Sequence, residues 1–489
     1  MKRFQDQRVL ILGLGESGLA CARWSISHGA KLTVLDTRAI PPGFDELKAL
    51  GVEFECFNSF DRLSWPFDRV CLSPGLSPKN VVVQQVVQAA QLHQIAIESE
   101  VSWFVDALEN LAVERNYCPK VIGVTGTNGK TTTVRMVATM IESLGHSVCC
   151  AGNISPSLLH ALDELMKNNA LPEFWVLELS SFQLHWTDRL NCDSATVLNL
   201  TEDHLDWHDS MQEYAQDKAR IFNEQTVRVI NRDGYDAPLP LQSSVLRHYS
   251  FGLGVPKQAG EFGLVDQSGV TWLAFFPWAK KDLIDAAQAQ SSSLQHPHLL
   301  LPTDALQVHG LHNALNALAA LALCEAINLP ITELLNGLRN YLSEPHRLNY
   351  VCRIEGIDFF NDSKGTNVGA TVAALSGFSQ PVILIAGGLG KGQNFQPLVK
   401  PIKQRCKAVV LLGQEIQSLQ NTLISEVAIH HVANMAQAVD MAASLATEGD
   451  CVVLSPACSS QDMFANYIER GNVFVEAVKE YAMQRGQVC

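Results

Sequence analysis

VIGVTGTNGKTTTV, at residues 121–134, is the stretch that decides the fold of this chain. An apolar, largely β-branched run ends at Thr125, a glycine-containing turn follows, and residues 132–144 suit a helix. A strand that leads through such a turn into a helix N-terminus presents backbone N–H groups and the positive end of the helix dipole to an anion. The pattern therefore predicts a phosphate-binding loop within an α/β fold.

Two side chains extend this prediction to a nucleoside triphosphate. Lys130 supplies a charge for terminal phosphates, and Thr131 has a hydroxyl that suits Mg²⁺. The strict Walker A spacing is not met, because Val124 stands where that motif has its first glycine. The residues that we assign to ATP in this loop are Gly126, Thr127, Asn128, Gly129, Lys130, Thr131 and Thr132.

Length and composition limit the possible classes of protein. At about 150 residues per domain, 489 residues predict about three domains. The net charge is −14 and Lys and Arg form no run, so neither nucleic acid nor an anionic membrane is expected as a partner. The chain has no apolar run as long as a membrane span and no signal peptide at its start, which predicts a cytoplasmic protein. The 13 cysteines are scattered without a C-x-x-C pair, so we expect free thiols and not disulfides or a zinc site.

A second glycine pattern lies near the N-terminus. Gly13, Gly15 and Gly18 form G-x-G-x-x-G after a predicted strand, and Asp36 ends the next strand. Taken alone, this is the fingerprint of a dinucleotide-binding domain, in which the acid binds a ribose hydroxyl. An NAD-dependent oxidoreductase is therefore one hypothesis. Ser73 follows another predicted strand, at the sheet edge where such folds bind ligands.

Strands and helices alternate along the whole chain, so the predicted fold class is α/β. We predict strands at residues 175–184 and 195–208, and an irregular polar insertion at residues 252–302. The predicted order is three domains in series: a Rossmann-like domain at 1–98, a central P-loop ATPase-type domain at 99–343, and a C-terminal Rossmann-like domain at 344–489.

Several residues between these motifs suggest chemistry, each with a plain structural alternative. Glu178 lies in an apolar strand, where a carboxylate either meets a cation such as Mg²⁺ or ends the strand in water. Polar residues around His204 fit either a second Mg²⁺ or a solvated loop. Lys218 lies four residues after Tyr214 on a helix, and the pattern by itself favours an exposed lysine.

Two further groups of residues are candidates for contact with a nucleotide. Asn313 and Asn316 share one face of a helix and suit either an adenine edge or helix capping. Asp362 and Lys364 lie at the end of a strand, and Lys364 and Arg347 are both candidates for a phosphate contact.

Taken together, these segments resemble the Mur ligase family, the ATP-dependent amino-acid ligases of peptidoglycan precursor synthesis. The shared motifs are TGTNGKTT (125–132), ELSSFQL (178–184), TEDHLD (201–206), GLHNALNALAA (310–320) and HR (346–347). Three more segments resemble the branch of the family that adds D-glutamate: NDSKGTN (361–367), GGLGKGQNF (387–395) and LSPACSSQDMFANYIERGNVF (454–474). The Asp-Asn-Pro-Arg motif of the diaminopimelate- or lysine-adding members does not occur in the chain.

The resemblance implies a reaction and its substrates. ATP phosphorylates the carboxylate of UDP-N-acetylmuramoyl-L-alanine, and the amine of D-glutamate attacks the resulting acyl phosphate. The implied cofactors are ATP and two Mg²⁺ ions, and the first domain is expected to bind UDP instead of a nicotinamide. We expect the protein to act as a monomer.

The resemblance also implies roles for individual residues. The catalytic residues are Lys130, His204, Lys218 and Lys364. The metal ligands are Thr131, Glu178, His204 and Lys218, the last as a carbamate. The further ATP residues are Asn313, Asn316, Arg347 and Asp362. The residues for the UDP substrate are Gly15, Glu16, Ser17, Asp36, Thr37, Arg38, Ser73, Asn153, Gln183 and His204. The D-glutamate residues are Thr366, Lys391, Ser460, Gln461 and Tyr467.

Some positions depart from the usual family pattern. The segment GNISP (152–156) replaces Gly-Asn-Ile-Gly, and Asn349 stands where Glu is common. Gly365 stands where the Asp-Ser-Lys motif continues with Ala. Gln461 and Tyr467 replace Leu and Phe, which bears on the geometry of the acceptor pocket.

Three alternative functions are considered. An NAD-dependent oxidoreductase leaves Lys130, Glu178 and Lys364 without a role. A folylpolyglutamate synthetase shares the phosphate loop but lacks a UDP-binding first domain, so the residues before 123 count against it. Another amino-acid-adding Mur ligase differs in its acceptor, which a panel of amino acids would identify.

Overall fold

The computed structural model describes residues 4–56, 65–205, 207–235, 248–278, 296–308, 310–390, 392–414 and 416–489. The chain divides into two compact units. The first contains Met1–Leu200, Trp207–Leu301 and Ala317–Arg339, and the second contains Thr201–Asp206, Pro302–Asn316 and Asn340–Cys489. The predicted acceptor residue Lys391 and residues 279–295 of the predicted insertion lie outside the described residues.

The first unit begins with a five-stranded parallel sheet in the order β3-β2-β1-β4-β5. Strands β1 and β4 are almost entirely buried, as expected for central strands that are covered on both faces. Its elements are β1 (Arg8–Leu12), α1 (Glu16–Ser27), β2 (Lys31–Asp36), α2 (Phe44–Ala49), β3 (Glu53–Cys56), β4 (Arg69–Leu72), α3 (Val81–Leu92), β5 (Ile97–Glu98) and α4 (Glu100–Arg115).

The turn between β1 and α1 depends on two glycines. Gly13 has a φ of +93°, and a Cβ atom there would lie 2.7 Å from the Cβ atom of Ser73. A Cβ atom on Gly18 would lie 1.9 Å from the carbonyl oxygen of Gly13. The helix therefore packs against the strand more closely than a side chain permits, as the G-x-G-x-x-G pattern predicts.

A nine-stranded sheet follows in the first unit, in the order β14-β13-β12-β11-β10-β9-β6-β8-β7. Strands β6 to β12 pair in parallel, and β12 and β13 form an antiparallel hairpin. The elements of this part of the chain are β6 (Lys120–Thr125), α5 (Lys130–Ser143), β7 (Val148–Gly152), α6 (Leu158–Lys167), β8 (Phe174–Glu178), α7 (Ser181–His185), β9 (Ser194–Val197), α8 (Met211–Ala219), β10 (Val227–Asn231), β11 (His248–Phe251), β12 (Glu261–Gln267), β13 (Val270–Phe275), β14 (His298–Pro302), α9 (Leu311–Ala326) and α10 (Ile331–Asn340). The first six residues of α9 belong to the second unit, and the rest of α9 belongs to the first.

Three predictions for this region are corrected by the structure. In the described parts of the insertion, residues 252–278 and 296–302, the chain is not irregular, because it forms β12, β13 and β14. Ser268 and Gly269, with φ of 53° and 80°, form the tight turn of a hairpin. The strand predicted at 175–184 ends at Glu178. There Ser180 and Gln183 form a capping box that starts α7 and stops the strand. The strand predicted at 195–208 likewise ends at Val197.

The second unit is built on a six-stranded sheet in the order β15-β16-β20-β17-β18-β19. β15 and β16 form an antiparallel hairpin, and the other pairs are parallel. The elements are β15 (Asn349–Ile354), β16 (Ile357–Asn361), α11 (Val368–Ser376), β17 (Val382–Ala386), α12 (Val399–Arg405), β18 (Cys406–Leu411), α13 (Ile416–Leu423), β19 (Ala428–His431), α14 (Met435–Leu445), β20 (Cys451–Leu454) and α15 (Tyr467–Gln484).

The prediction that all the cysteines are free thiols is wrong for two of them. Cys352 on β15 forms a disulfide with Cys489, across a Cα–Cα distance of 5.4 Å. The remaining 11 cysteines are free. Sequence spacing did not indicate this pair because the fold brings together residues 137 positions apart. Among the described residues, no helix is both long and apolar enough to cross a membrane.

We predict that Gly18→Ala lowers the free energy of unfolding by about 1–3 kcal/mol, because the new methyl group must displace the Gly13 carbonyl. Urea denaturation measures this loss. Gly15→Ala is the matched control, since no atom lies within 4 Å of its added Cβ and its backbone is ordinary. Equal stability of the two variants would contradict the close packing of β1 and α1.

Candidate functional site

The phosphate loop joins β6 to α5 in the first unit. Gly126 and Gly129 have φ of +149° and +83°, and helix α5 starts directly after Gly129, at Lys130. The Lys130 ammonium folds back and donates to the carbonyl oxygens of Gly126 at 2.8 Å and Thr127 at 2.9 Å. The predicted strand, turn and helix are therefore present, and the N-terminus of α5 is available to an anion.

Asn199 holds this loop in place. It follows β9, which lies beside β6 in the sheet. Its backbone carbonyl accepts from the N–H of Thr127 at 3.0 Å, and its side-chain oxygen accepts from the N–H of Asn128 at 2.8 Å. Its side-chain amide donates to the carbonyl of Asn128 at 3.0 Å. Sequence reasoning gave Asn199 no such role, although an amide residue at the end of a neighbouring parallel strand was a usable signal.

Glu178 ends β8, on the other side of β6, and is buried. Its carboxylate accepts from the Thr131 hydroxyl at 2.7 Å and from the Asn153 amide at 2.9 Å. A carboxylate and a hydroxyl side by side at the edge of the phosphate loop are hard oxygen donors of the kind that Mg²⁺ prefers. Of the two interpretations of Glu178, the structure excludes the solvated strand end, and the pair fits a magnesium site.

Lys218 is not the exposed lysine that the helical pattern favours. It is 1% exposed, and its Nζ donates to the carbonyl oxygen of Gly126 at 3.0 Å. The same atom lies 4.5 Å from the centre of the Tyr214 ring, and the Tyr214 hydroxyl lies 3.2 Å from Oγ1 of Thr127. Lys130 and Lys218 therefore both bond to one carbonyl oxygen. The prediction failed because α8 packs a polar face against the loop, which helical spacing does not reveal.

Asp36 ends β2 as predicted, but both oxygens of its carboxylate already accept hydrogen bonds from neighbouring residues of the protein. It accepts from the N–H groups of Leu14 at 2.7 Å and Arg38 at 2.8 Å, and from the Arg38 guanidinium at 2.9 and 2.7 Å. Burial alone would raise the pKa of Asp36, but the hydrogen bonds from Arg38 and Leu14 outweigh it and lower the pKa. The exposed side chains at this strand end are Thr37 and Arg38.

Apart from His204, which belongs to the second unit, the other residues predicted for the UDP substrate lie at strand and helix ends of the first unit. Gly15 precedes α1, which begins with Glu16 and Ser17, and the N–H of Ser73 donates to the Leu12 carbonyl directly after β4. The Gln183 side-chain oxygen accepts from the N–H of Ser180 at 3.0 Å, so this residue caps α7.

In the second unit, two loops predicted for ATP and D-glutamate lie against each other. The Gly365 carbonyl accepts from the N–H of Ala457 at 2.9 Å, and the Asp362 carboxylate accepts from the Ser455 hydroxyl at 2.7 Å. Lys364 Nζ lies 3.8 Å from the centre of the Tyr467 ring. Segments 361–367 and 454–467, which are far apart in sequence, thus form one surface.

Sequence reasoning missed Arg470, which joins these two loops. This buried guanidinium donates to the hydroxyl and carbonyl of Ser363 at 3.0 and 2.7 Å, and to the Cys458 carbonyl at 3.1 Å. Burial lowers the pKa of Arg470 to about 10, so it stays charged at neutral pH. The sequence shows Arg470 only as a cation in an amphipathic helix. Helical periodicity alone does not distinguish such a buried arginine from an arginine at the surface.

The remaining predicted residues of the second unit are placed as follows. The Asn367 amide donates to Asp203 at 3.1 Å, which brings the segment with His204 to the 361–367 loop. The Asn316 amide donates to Asn313 at 3.3 Å on helix α9. Thr366 is half-buried, Ser460 is buried and Gln461 is exposed.

Comparisons with known proteins agree with this arrangement. Three family models match in order: the N-terminal domain of MurD-like Mur ligases at residues 7–94, the Mur ligase middle domain at 124–324, and the glutamate ligase domain of Mur ligases at 346–458. The chain belongs to the Mur ligase family. The UDP-N-acetylmuramoylalanine–D-glutamate ligase of Burkholderia pseudomallei is 46% identical, over 99% of this chain and 98% of the relative.

Solved structures show the same fold at low identity. UDP-N-acetylmuramate–alanine ligase MurC of Thermotoga maritima superposes with a TM-score of 0.56 at 19% identity, covering 97% of this chain and all of the other. MurF ligase of the same organism, solved in complex with ADP, gives 0.56 at 18% identity, covering 98% and 97%. The predicted three-domain α/β fold and the predicted class, an ATP-dependent ligase of peptidoglycan precursor synthesis, are confirmed. Mur ligases depend on ATP and typically use Mg²⁺.

Asp362 gives a pH-dependent prediction. Burial raises the pKa of its carboxyl from the usual 3.8 to about 7, against the opposing effects of Ser455 and Arg347. A raised pKa in the fold favours the neutral form, so its stabilising contribution is complete below pH 3.8 and is lost as the pH rises through about 7. Asn resembles the neutral acid, so Asp362→Asn should gain stability relative to the natural chain across this interval. Urea unfolding at several pH values measures the difference, and a difference that is independent of pH would contradict the prediction.

Proposed function

We propose that this chain joins D-glutamate to the carboxyl group of UDP-N-acetylmuramoyl-L-alanine in a reaction driven by ATP. The observation that carries the proposal is full-length similarity, at 46% identity, to a ligase named for these substrates. The segments at 361–367, 387–395 and 454–474 support the same acceptor. The phosphate loop with Lys130, Thr131 and Glu178 supplies the chemistry that the first step requires.

The reaction has two steps. A carboxylate oxygen of the UDP substrate attacks the γ-phosphorus of ATP, the bond to the ADP oxygen breaks, and an acyl phosphate forms. The amine of D-glutamate then attacks the carbonyl carbon and loses a proton, and the tetrahedral intermediate expels inorganic phosphate. The protein contributes positioning and neutralisation of charge, since neither step needs a protein nucleophile.

The first unit binds the phosphates and the metal in this proposal. Lys130 and the N-terminus of α5 bind phosphate oxygens, and Lys130 exchanges its bonds to the loop carbonyls for bonds to the nucleotide. Thr131 and Glu178 would hold one Mg²⁺, which would offset the charge that develops on the phosphates.

Lys218 is proposed to act as a carbamate. The Lys218 ammonium first loses one proton, the neutral amine then attacks CO₂ and forms the N–C bond, and a second proton leaves, so that the ammonium becomes an anion with oxygen donors. The observed position favours this change, because Lys130 and Lys218 otherwise place two cations on one carbonyl oxygen in a buried place. The carbamate would be a ligand for a second Mg²⁺. The participation of His204 in that site stays a prediction from the family resemblance.

The remaining assignments are part of the same proposal. The Asp36 carboxylate already accepts hydrogen bonds from Leu14 and Arg38. We therefore propose that Asp36 orients Arg38 towards the substrate and does not bind uracil itself. Lys364 is proposed as a catalytic residue. The other residues proposed for ATP are Gly126, Thr127, Asn128, Gly129, Thr132, Asn313, Asn316, Arg347 and Asp362. The residues proposed for the UDP substrate are Gly15, Glu16, Ser17, Thr37, Arg38, Ser73, Asn153, Gln183 and His204. The residues proposed for D-glutamate are Thr366, Lys391, Ser460, Gln461 and Tyr467. The domain limits at 98 and 343, the monomeric state and the cytoplasmic location stay predictions.

A panel of acceptors tests the function. Phosphate release is measured with ATP, Mg²⁺, UDP-N-acetylmuramoyl-L-alanine and, in turn, D-glutamate, L-glutamate, meso-diaminopimelate and L-lysine. We expect rapid release with D-glutamate alone. Preference for another amino acid would reassign the acceptor, and turnover with a reduced folate in place of the UDP substrate would favour the folylpolyglutamate synthetase alternative.

Lys130→Ala should abolish turnover without unfolding the protein. Loss of one charge-assisted contact to the transferred phosphate costs about 3–4 kcal/mol of barrier, or about 100- to 1,000-fold in kcat. Lys120→Ala is the control, because Lys120 begins β6, the strand that leads into the phosphate loop, but is exposed and paired with Asp193. Near-normal phosphate release by folded Lys130→Ala would disprove the assignment of the ATP site.

Lys218→Ala should be nearly inactive, and formate or acetate should restore part of the activity by supplying an anionic oxygen. Carbon-13 NMR in labelled bicarbonate should show a carbamate signal in the natural protein and none in the variant. Full activity of Lys218→Ala, or the same signal in both proteins, would contradict the proposed modification.

A further inference from the structure

The residue that precedes Lys218 on helix α8 is a buried acid with three partners. Asp217 is 2% exposed. Its Oδ2 atom lies 2.9 Å from Nδ1 of His185 and 3.2 Å from Nδ1 of His208, and its Oδ1 atom lies 3.3 Å from Nε of Arg220. None of these four residues belongs to the motifs assigned above to ATP, the UDP substrate or D-glutamate.

The contacts continue beyond His208, which is fully buried. Its Nε2 atom lies 2.9 Å from the hydroxyl oxygen of Ser181, the first residue of α7. The approach of His208 Nδ1 to Asp217 lacks the alignment of a hydrogen bond, so the hydrogen bond that fixes the His208 ring is the one between Nε2 and Ser181. Ser181, His208, Asp217 and His185 are named here the Asp217 network.

The two ends of the Asp217 network lie beside proposed metal ligands. Ser181 comes three residues after Glu178, and Asp217 immediately precedes Lys218. Successive residues on a helix point about 100° apart. Lys218 can thus bond to the Gly126 carbonyl of the phosphate loop while Asp217 bonds to His185 on α7.

Helix α8 has little apolar surface with which to fix its orientation. Its sequence is MQEYAQDKA, and its buried residues are Tyr214, Ala215, Asp217 and Lys218. Two of the four buried side chains are therefore charged. Polar contacts with defined directions must then hold the helix, since burial of apolar surface sets no unique geometry.

The Asp217 network also resembles two kinds of reactive site, and the structure disfavours both. Ser181, His208 and Asp217 follow the order of a nucleophilic triad, but Ser181 is 2% exposed, so a substrate carbonyl has no access to its hydroxyl. His185, Glu213 and Asp217 place possible ligand atoms within 4.8 Å of one another. The Asp217 carboxylate is already bonded to His185, however, and the neighbouring Arg220 cation opposes a metal ion.

We infer that Asp217, held by His185 and His208, is a positioning residue that fixes helix α8 and thereby places Lys218 Nζ at the phosphate loop. The inference rests on the proposed role of Lys218 as a carbamylated magnesium ligand. Asp217 acts through Lys218 and does not contact substrate. Partners of this kind orient the ligands of a metal site, and their loss typically lowers metal affinity about 10- to 100-fold.

The test uses the full-length variants Asp217→Asn and His208→Gln. Asn keeps the shape of the acid but loses its charge, and Gln at 208 breaks the link between Ser181 and Asp217. Asp450→Asn is the matched control, because Asp450 is an equally buried acid that bonds to Lys407 and Thr447 and has no part in the proposed site. Each protein is examined by carbon-13 NMR in labelled bicarbonate, by the Mg²⁺ concentration at half-maximal activity, and by thermal unfolding.

We expect both variants to lose carbamate signal and to need at least about tenfold more Mg²⁺, with the KM for D-glutamate changed less than about threefold. Asp450→Asn should lower the unfolding temperature with no change in either metal readout. Added formate should restore more activity to His208→Gln than to the control. If Asp217→Asn does not fold, the same readouts on His208→Gln decide the question.

Other outcomes separate this inference from the proposed function. A carbamate in the natural protein, with the natural Mg²⁺ requirement in both variants, overturns the positioning role and leaves the function intact. A natural protein without a carbamate signal overturns the proposed role of Lys218 and this inference with it. Labelling of Ser181 by a fluorophosphonate would show a nucleophile, and Zn²⁺ binding that Asp217→Asn abolishes would show a metal site. Either result replaces the positioning role.

Discussion

At the phosphate loop, one backbone carbonyl accepts hydrogen bonds from two lysines. The carbonyl oxygen of Gly126 lies 2.8 Å from Nζ of Lys130 and 3.0 Å from Nζ of Lys218. Two cations on one acceptor are unfavourable in a place where water does not screen them. The proposed binding of phosphate by Lys130 and the proposed conversion of Lys218 to an anion would each relieve this repulsion. The proposed chemistry of the first unit is therefore centred on a loop that holds two lysine side chains close together.

The loop keeps its shape because parallel strands end side by side around it. β8, β6 and β9 are neighbours in the sheet, and they deliver Glu178, the loop and Asn199 to the same edge. Asn199 holds the backbone of Thr127 and Asn128, and Glu178 bonds to Thr131. In a parallel sheet this convergence follows from the strand order, which explains why residues over 40 positions apart share one site.

In the second unit, a buried arginine side chain joins two loops. Segments 361–367 and 454–467 are joined by Arg470, whose guanidinium donates to Ser363 and to the Cys458 carbonyl. A planar cation with five donors satisfies several carbonyl and hydroxyl groups at once, so a single side chain can hold two loops. Lys364 and Tyr467 approach each other within the two segments that this buried arginine joins.

The amino-acid sequence by itself determined the fold class, the phosphate loop, the glycine turn of the first sheet and the placement of Asp36 at a strand end. These features are local: periodicity, glycine spacing and strand-to-helix transitions are written in consecutive residues. The order of the motifs also indicated the reaction class. The helical pattern, in contrast, did not show that Lys218 is buried. Helical spacing reports which residues share a face, but it does not report what that face packs against.

Tertiary structure alone decided the contacts of Asn199, Arg470 and Asp217, the hairpin within residues 252–302, and the disulfide of Cys352 and Cys489. Each of these features depends on contacts between residues that are distant in sequence. No local sequence pattern identifies the two residues that make such a contact. A polar side chain in a helix or loop has the same sequence signature whether it faces water or a buried carbonyl. A polar side chain that faces water keeps its hydration, whereas a buried one loses it. The free-energy cost of burial is therefore offset only where the fold supplies a hydrogen-bond partner.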